Sequence, residues 1–355
     1  MKTETRARLL GVDNLRVVLT ALVVLHHVAV SYGNIPAWYY YQRATDPTGT
    51  ALDVMVMFDQ AFFMGFFFLI SGFFTPSSRD RKGGGPFLRD RLKRLGIPLL
   101  AYLLLLRPLV TLGLYDGAVP YWKFYLASWD PGPMWFVEVL LVLAVGYVVI
   151  RRARPVPRVE ESPLTLRRIA LFALSLSAAT FLWRFLVPVG TYWPVVGLPT
   201  SSYLPQYVSL FAVGVLAWRR GWHSSLPRAA VRIGFGTATA ASLTLLPLSW
   251  MTTGVLNQLL AATWETVFAI SLIIALTVLF RERFNRQGPF GRFLADQAYA
   301  VYVIHPLALV AVSAALDGLH TLAILKFTLV AAICLPLCWG LAYLVRMIPG
   351  AKRIL

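Results

Sequence analysis

The first long apolar block of the sequence carries several ionisable residues. It reads DNLRVVLTALVVLHHVAVSYG and contains Asp13, Arg16, His26 and His27. An ionisable side chain is costly in hydrocarbon, so each one inside such a block is a candidate for function. On an α-helix, the step from Arg16 to His27 leaves the two side chains within about 20° of each other and about 16 Å apart along the axis. We therefore expect them to lie on one face.

A cation and an imidazole on one face suggest two chemical tasks. Arg16 would hold an anionic group near the membrane surface, and Asp13 lies one turn before it. His27 would move a proton near mid-membrane, since a neutral imidazole is a suitable base. His26 lies about 80° away from Arg16 and is predicted to face a neighbouring helix or a second part of the cavity. The alternative is that both histidines only form hydrogen bonds between helices.

Two further titratable residues are predicted at the depth of His27. His305 and Glu265 lie about nine and about ten residues into their own apolar blocks, which at ~1.5 Å per residue corresponds to mid-membrane. We expect the three residues to share a polar cavity. His305 has an alternative role, because Pro306 cannot donate a backbone hydrogen bond and a histidine can bind the carbonyl group that is left free.

Three more residues are candidates for the same site. Glu138 follows Trp135 near the predicted outer face, and Tyr302 lies one turn before His305. We predict that Glu138, like His26, takes part in catalysis and that Trp135 and Tyr302 line the cavity.

Membrane-spanning helices must position these side chains. The sequence of 355 residues is 58% hydrophobic and 14% charged, which is too apolar for a soluble domain of this size. A helix needs roughly 20 apolar residues to cross the bilayer core. Such blocks occur at 15–32, 52–74, 95–114, 134–150, 168–188, 204–218, 230–249, 255–280, 297–316 and 322–345. We predict an all-α polytopic bundle of about ten transmembrane helices in one domain, residues 1–355.

The basic residues predict the orientation of this bundle. Of the 33 lysines and arginines, 27 fall in alternate loops that share a side with the N-terminus, whereas Arg43 and Lys123 fall in the opposite loops. Because basic loops are retained in the cytoplasm, both termini are predicted to be cytoplasmic. The first block lacks a small-residue cleavage site and is predicted to remain as a span.

Several other classes of protein are disfavoured. The net charge of +17 does not indicate nucleic-acid binding, since the basic residues separate apolar blocks and do not follow one polar face. The sequence contains no GxxxxGK, HExxH or GxSxG motif, so the common soluble-enzyme signatures are missing. Cys334 and Cys338 have no histidine nearby. We interpret them as packing residues and predict no metal site.

The ordered motifs resemble those of the acyltransferase-3 family of membrane O-acyltransferases. The family's arginine, ten residues, histidine pattern runs from Arg16 to His27. FFFLISGFFTP at 66–76 resembles its phenylalanine-rich segment, and FLRDRLKRLGIP at 87–98 resembles its basic segment before the third helix. PMWFVEVLLVLAVGY at 133–147 and YAVYVIHP at 299–306 resemble two further signatures. The short spacing from Trp135 to Glu138 departs from the O-antigen-modifying branch, and the single-domain size is closer to the branch that includes glucan succinyltransferases.

The resemblance implies transfer of an acyl group from cytoplasmic acyl-CoA to a hydroxyl of a carbohydrate, lipid or natural product. It implies His27 as the catalytic histidine and Arg16 as a contact to acyl-CoA, with Lys93 and Arg94 as further phosphate contacts. Acyl-CoA would be a cosubstrate, and no tightly bound cofactor is expected. The expected location is the bacterial plasma membrane, with lipid as the surrounding partner.

Two other functions stay open from the sequence. Mid-membrane His27, His305 and Glu265 would also suit a proton-coupled transporter or exporter, which moves a substrate without cleaving a thioester. An inactive homologue could serve as a scaffold or sensor. The sequence predicts neither the acyl chain, the acceptor nor the oligomeric state.

Overall fold

The chain folds into a helical bundle. The computed structural model describes residues 9–153, 162–194 and 197–355, and these contain helices but no strand. The helices are α1 Leu10–Tyr32, α2 Thr48–Lys82, α3 Gly84–Arg91, α4 Ile97–Ala101, α5 Arg107–Val110, α6 Tyr121–Ala127, α7 Trp135–Ala153, α8 Leu166–Leu186, α9 Leu204–Arg219, α10 Trp222–Ser225, α11 Ala230–Trp250, α12 Gly254–Arg283, α13 Pro289–Ala315 and α14 Ala323–Met347. The prediction of an all-α membrane bundle is confirmed.

Eight helical stretches of the described residues are long and apolar enough to cross a membrane. They correspond to all the predicted spans except the third and the sixth. The sixth is α9, which has 16 residues. The third is helical but interrupted by π-helical turns at Leu92–Gly96 and Tyr102–Leu106. The count of ten spans therefore stays a prediction.

Proline explains part of the irregularity in the third span. Pro98 has no N–H for the carbonyl of Arg94, four residues earlier, and that carbonyl would lose its helical partner. The Tyr299 hydroxyl on α13 donates to it instead, at 2.9 Å. A residue far along the chain thus satisfies a backbone group that the local sequence leaves free.

The loops gather at two ends of the bundle. At the N-terminal end, which holds the start of α1, Asn14 donates to the carbonyls of Phe284 and Arg286. The last residues of the chain lie at this end too, since Asp13 and Lys352 line one cavity. At the opposite end, Asp46 accepts from the backbone N–H of Ala323. Loops that the sequence predicts to be cytoplasmic therefore share one end.

Close backbone contacts fix the helices that carry the site. A Cβ atom on Gly72 of α2 would lie 2.1 Å from the carbonyl oxygen of Phe211 on α9, and one on Gly214 would lie 2.1 Å from that of Leu69. Small residues permit this approach, as is common between transmembrane helices. Helix α1 lies between α2, α12, α13 and α14. A histidine on α1 therefore faces other helices as well as any cavity between them.

Candidate active site

Two histidines from distant parts of the chain meet near the middle of the bundle. His27 on α1 and His305 on α13 have Nδ1 and Nε2, respectively, 3.2 Å apart. His305 is fully buried, whereas His27 keeps some exposure. The Nδ1 atom of His27 also lies 2.8 Å from the carbonyl oxygen of Val23. These contacts decide which nitrogen of each ring carries the proton.

Pro306 determines the tautomer of His305. Because a proline has no N–H, the carbonyl of Tyr302 lacks its helical donor, and His305 Nδ1 lies 2.7 Å from that oxygen. A carbonyl only accepts, so Nδ1 of His305 is the donor and Nε2 of the neutral ring is an acceptor. His305 thus binds the carbonyl group that Pro306 leaves free, which is the alternative role expected from the sequence. It also contacts His27.

The same argument assigns the tautomer of His27. Its Nδ1 faces two acceptors, the Val23 carbonyl and His305 Nε2. It must therefore carry the proton, which leaves Nε2 of the neutral ring with a lone pair. This arrangement resembles that of a general base whose other nitrogen is held by an orienting acceptor.

His26 points to a different partner. Its Nδ1 lies 3.9 Å from Oδ2 of Asp59 on α2, and both side chains are buried. Neither atom has a hydrogen-bond partner among the described residues. The rings of His26 and His27 meet edge to face, with centroids 5.4 Å apart. His26 thus faces a neighbouring helix, one of the two surroundings expected from its helical angle, and its catalytic role stays a prediction.

A loop at the opposite end covers the two histidines. The Trp38 ring lies against His27, with centroids 3.9 Å apart. The next residue, Tyr39, donates to Asp130 at 2.9 Å, and Arg107 also donates to that carboxylate, at 3.3 Å. Burial, with Tyr102 and Asp130 nearby, raises the pKa of the Tyr39 hydroxyl, so it stays protonated and donates. The loop is therefore tied in place above His27.

A basic cavity opens at the N-terminal end, below the histidines. It has a volume of about 570 Å³. Its lining includes seven basic residues, Arg16, Arg81, Lys82, Arg91, Arg94, Lys352 and Arg353, and three acidic ones, Asp13, Asp90 and Asp296. A hydrogen bond from Lys82 lowers the pKa of Asp90. The excess of positive charge suits a ligand with several phosphates.

The basic cavity reaches towards His27 but is not lined by it. Its deepest residues on the side of the histidines include Thr20, Phe136 and Tyr302. Thr20 lies seven residues before His27 on α1, a rise of about 10 Å. The rings of Tyr302 and His305 have centroids 6.0 Å apart. A ligand held at the cavity therefore needs a slender arm to reach His27.

The fold and these two features agree with a comparison with protein families. A family model for an acyltransferase domain matches residues 9–343. The chain belongs to the acyltransferase-3 family. No curated protein and no solved structure matches the chain. Since the match covers nearly the whole described bundle, the protein is a membrane acyltransferase of this family.

Two of the three residues predicted to contact the acyl donor line the basic cavity, and the third does not. Arg16, 3.7 Å from Asp13, and Arg94 both line the basic cavity, whereas Lys93 is exposed and is not in its lining. Arg91, Lys352 and Arg353 line it and were not predicted from the sequence. Helical phase favours Arg91 over Lys93, because Lys93 lies on the other side of the same turn. Nothing local in the sequence places the last residues of the chain in this cavity.

Of the other predicted cavity residues, Tyr302 lies at the boundary between the basic cavity and the histidines. Its hydroxyl donates to the Pro133 carbonyl. Trp135 is buried and stacks on Tyr207, with centroids 5.4 Å apart. Glu138 is partly exposed, and among the described residues no hydrogen bond or ion pair joins it to either histidine. Its catalytic role stays a prediction.

Glu265 lies in a different cluster from the histidines of the acyltransferase. Its carboxylate is 2.5 Å from Nη2 of Arg184 on α8, and the Tyr203 hydroxyl lies 3.5 Å away. The Arg184 side chain is only 4% exposed and that of Glu265 12%. Glu265 and His27 were predicted at the same depth, but they do not contact each other. A buried ion pair gives Glu265 a structural role, which weakens the argument for proton transport through it.

This role can be tested by removing the two charges singly and together. We expect Glu265→Gln or Arg184→Met alone to destabilise the protein by about 3 kcal/mol, because each leaves a buried charge unpaired. The double variant should recover most of the stability and retain acyl transfer. The measurements are the midpoint of thermal denaturation in detergent and the rate of acyl transfer. A stable double variant without activity would instead show that Glu265 is needed chemically.

Proposed function

We propose that this protein transfers an acyl group from acyl-CoA to a hydroxyl of an acceptor, with His27 as the general base. The observation that carries the proposal is the lone pair left on Nε2 of His27 by the contacts of Nδ1 to Val23 and His305. A base in this position, above a cavity for a polyanion, suits transfer from a nucleotide-linked thioester.

The donor would bind with its phosphates at the N-terminal end, the predicted cytoplasmic side. The phosphates would contact Arg16, Arg91 and Arg94 in the basic cavity, where guanidinium groups form paired hydrogen bonds to phosphate. The pantetheine arm is narrow and extended. It would pass Tyr302 and carry the thioester across the remaining distance to His27.

The acceptor would approach from the opposite end, beside the loop that carries Trp38. His27 Nε2 takes the proton of the acceptor hydroxyl as its oxygen attacks the thioester carbonyl. The carbon–sulfur bond breaks, and the imidazolium returns the proton to the leaving thiolate of CoA. His305 Nε2 accepts from Nδ1–H throughout, which keeps the ring oriented. The product is an ester of the acceptor, expected at a bacterial plasma membrane.

Charge removal in the basic cavity tests the donor. We expect Arg16→Gln and Arg91→Gln each to raise KM for acyl-CoA about tenfold, because each removes a charge-assisted contact to phosphate. The value of kcat should change less than about threefold, since neither residue touches the reacting atoms. Release of free CoA by the purified protein in lipid nanodiscs measures both constants.

Arg167→Gln is a matched control. Arg167 is exposed at the same end of the bundle but is not in the lining of the basic cavity. Its KM should stay at the wild-type value. If Arg16→Gln and Arg167→Gln shift KM equally, the effect comes from general surface charge. Wild-type protein that neither binds nor cleaves acyl-CoA would refute the proposed donor.

A further inference from the structure

The bundle contains a second, apolar cavity that the proposed reaction does not use. It has a volume of about 320 Å³ and lies between α1, α2, α8, α9 and α12, towards the N-terminal end. Ile70 lines both this apolar cavity and the basic cavity. The lining includes neither Arg16 nor the two histidines. The two cavities therefore lie on different sides of the α1–α2 pair.

The interior of the apolar cavity suits a hydrocarbon chain. Leu15, Phe66, Ile273 and Phe280 contribute to its walls. A cavity lined by leucine, isoleucine and phenylalanine offers water few hydrogen-bond partners and accepts apolar ligands. Its volume also falls within the range of natural ligand pockets, roughly 300–1,000 Å³.

The exposure of its walls shows where a chain can enter. Leu15 on α1 and Phe66 on α2 are 2% and 1% exposed, whereas Leu216 on α9 is 37% exposed. Ile169 and Phe172 on α8 are partly exposed as well. The open side thus lies between α8 and α9, which face the surrounding lipid. A lipid chain can enter from there without passing the basic cavity.

The rim of the apolar cavity is basic. Arg168 and Arg281 contribute to it. The Arg281 guanidinium donates to the carbonyls of His223 and Leu226 and pairs with Glu282. Arg168 is exposed at the start of α8, where its Nη1 donates to the Ser162 hydroxyl and the Pro163 carbonyl. The sequence from 162 to 232 contains no acidic residue. Basic residues at the membrane surface attract anionic lipid headgroups, so this rim favours them over zwitterionic ones.

We propose that the apolar cavity binds one acyl chain of an anionic phospholipid from the leaflet at the N-terminal end, with the lipid phosphate at Arg168. The chain fills the space between α8, α9 and α12, and the headgroup lies at the basic rim. This lipid site is independent of acyl transfer, because it shares neither histidine nor Arg16 with the proposed reaction.

Native mass spectrometry of the delipidated full-length protein tests the site, with phosphatidylglycerol and phosphatidylcholine of identical chains as probes. The wild type should bind one phosphatidylglycerol about tenfold more tightly than phosphatidylcholine, because the choline cation of the second lipid offsets the attraction of its phosphate to the basic rim. Ala217→Phe places a ring in the cavity and should weaken phosphatidylglycerol binding about tenfold or more. Ala212→Phe adds the same ring on an exposed position of α9 and should leave binding unchanged.

A second pair of variants tests the headgroup without placing a bulky ring in the apolar cavity. Arg168→Gln should abolish the preference for phosphatidylglycerol, whereas Arg167→Gln, outside the lining, should keep it. This pair remains decisive if phenylalanine at position 217 impairs folding. The proposal is wrong if Ala217→Phe and Arg168→Gln bind both lipids like the wild type. It is also wrong if acyl-CoA displaces the lipid one for one, which would make the cavity a part of the donor site.

Discussion

His27→Ala is expected to lower the rate of acyl transfer about a thousandfold, the usual contribution of a general base. The substitution removes Nε2, which the contacts of Nδ1 to Val23 and His305 leave as a proton acceptor. Without it, the acceptor hydroxyl must attack before it loses its proton. Single-turnover release of CoA from pre-bound acyl-CoA measures this step separately from donor binding.

Donor affinity is the internal control for this variant. Arg16 lies about 16 Å along the helix axis from position 27 and within the basic cavity, so binding of acyl-CoA should stay within about twofold of the wild type. Loss of both binding and transfer would indicate misfolding. Unimpaired transfer by a protein that binds acyl-CoA normally would show that His27 is not the base.

His305→Leu is expected to lower kcat about a hundredfold while KM for acyl-CoA stays constant. We treat His305 as a positioning residue, because it contacts His27 and lies one turn beyond Tyr302, which lines the basic cavity. Loss of its Nε2 acceptor frees His27 to adopt the wrong tautomer, and a misoriented base loses most of its effect. Initial rates at varied acyl-CoA concentration separate kcat from KM.

The conservative variant distinguishes positioning from packing. In His305→Gln, the amide oxygen can occupy the place of Nε2 and accept from His27 Nδ1–H, so at least a tenth of the wild-type kcat should return. Pro306→Ala provides a complementary change. It restores an N–H four residues after Tyr302, which competes with His305 Nδ1 for the carbonyl and should lower kcat without removing either ring. Equal losses in the leucine and glutamine variants would assign His305 a packing role only.

In the candidate active site, a backbone feature determines how a histidine side chain forms hydrogen bonds. Pro306 leaves the Tyr302 carbonyl free, His305 Nδ1 binds it, and Nε2 of the same ring is thereby turned into an acceptor for His27. The proline therefore acts on His27, the proposed base, through two hydrogen bonds. In the third predicted span, Pro98 leaves the Arg94 carbonyl without a helical donor, and the Tyr299 hydroxyl donates to it. A carbonyl freed by a proline thus also joins that span to α13.

Several features of the protein followed from the sequence alone. Rise and angle per residue are constant along a helix, so the spacing of Arg16 and His27 was enough to predict one face and a difference in depth. Block length and hydropathy predicted the helices. The distribution of basic residues predicted which loops lie at the same end of the bundle. These inferences need only local geometry and the preference of each residue for lipid or water. The ordered motifs added the family.

The tertiary structure decided which residues meet at a given depth. His305 and Glu265 were predicted at the same level as His27, yet His305 contacts it across 278 positions of sequence, whereas Glu265 pairs with Arg184. No local feature of the sequence predicted that Trp38, Lys352 and Arg353 lie at the candidate site. Lateral position depends on how distant helices pack, and that packing is set by side-chain shape and close backbone contacts such as those at Gly72 and Gly214. Helical periodicity determines depth and direction on one helix, but it contains no information about the neighbouring helix.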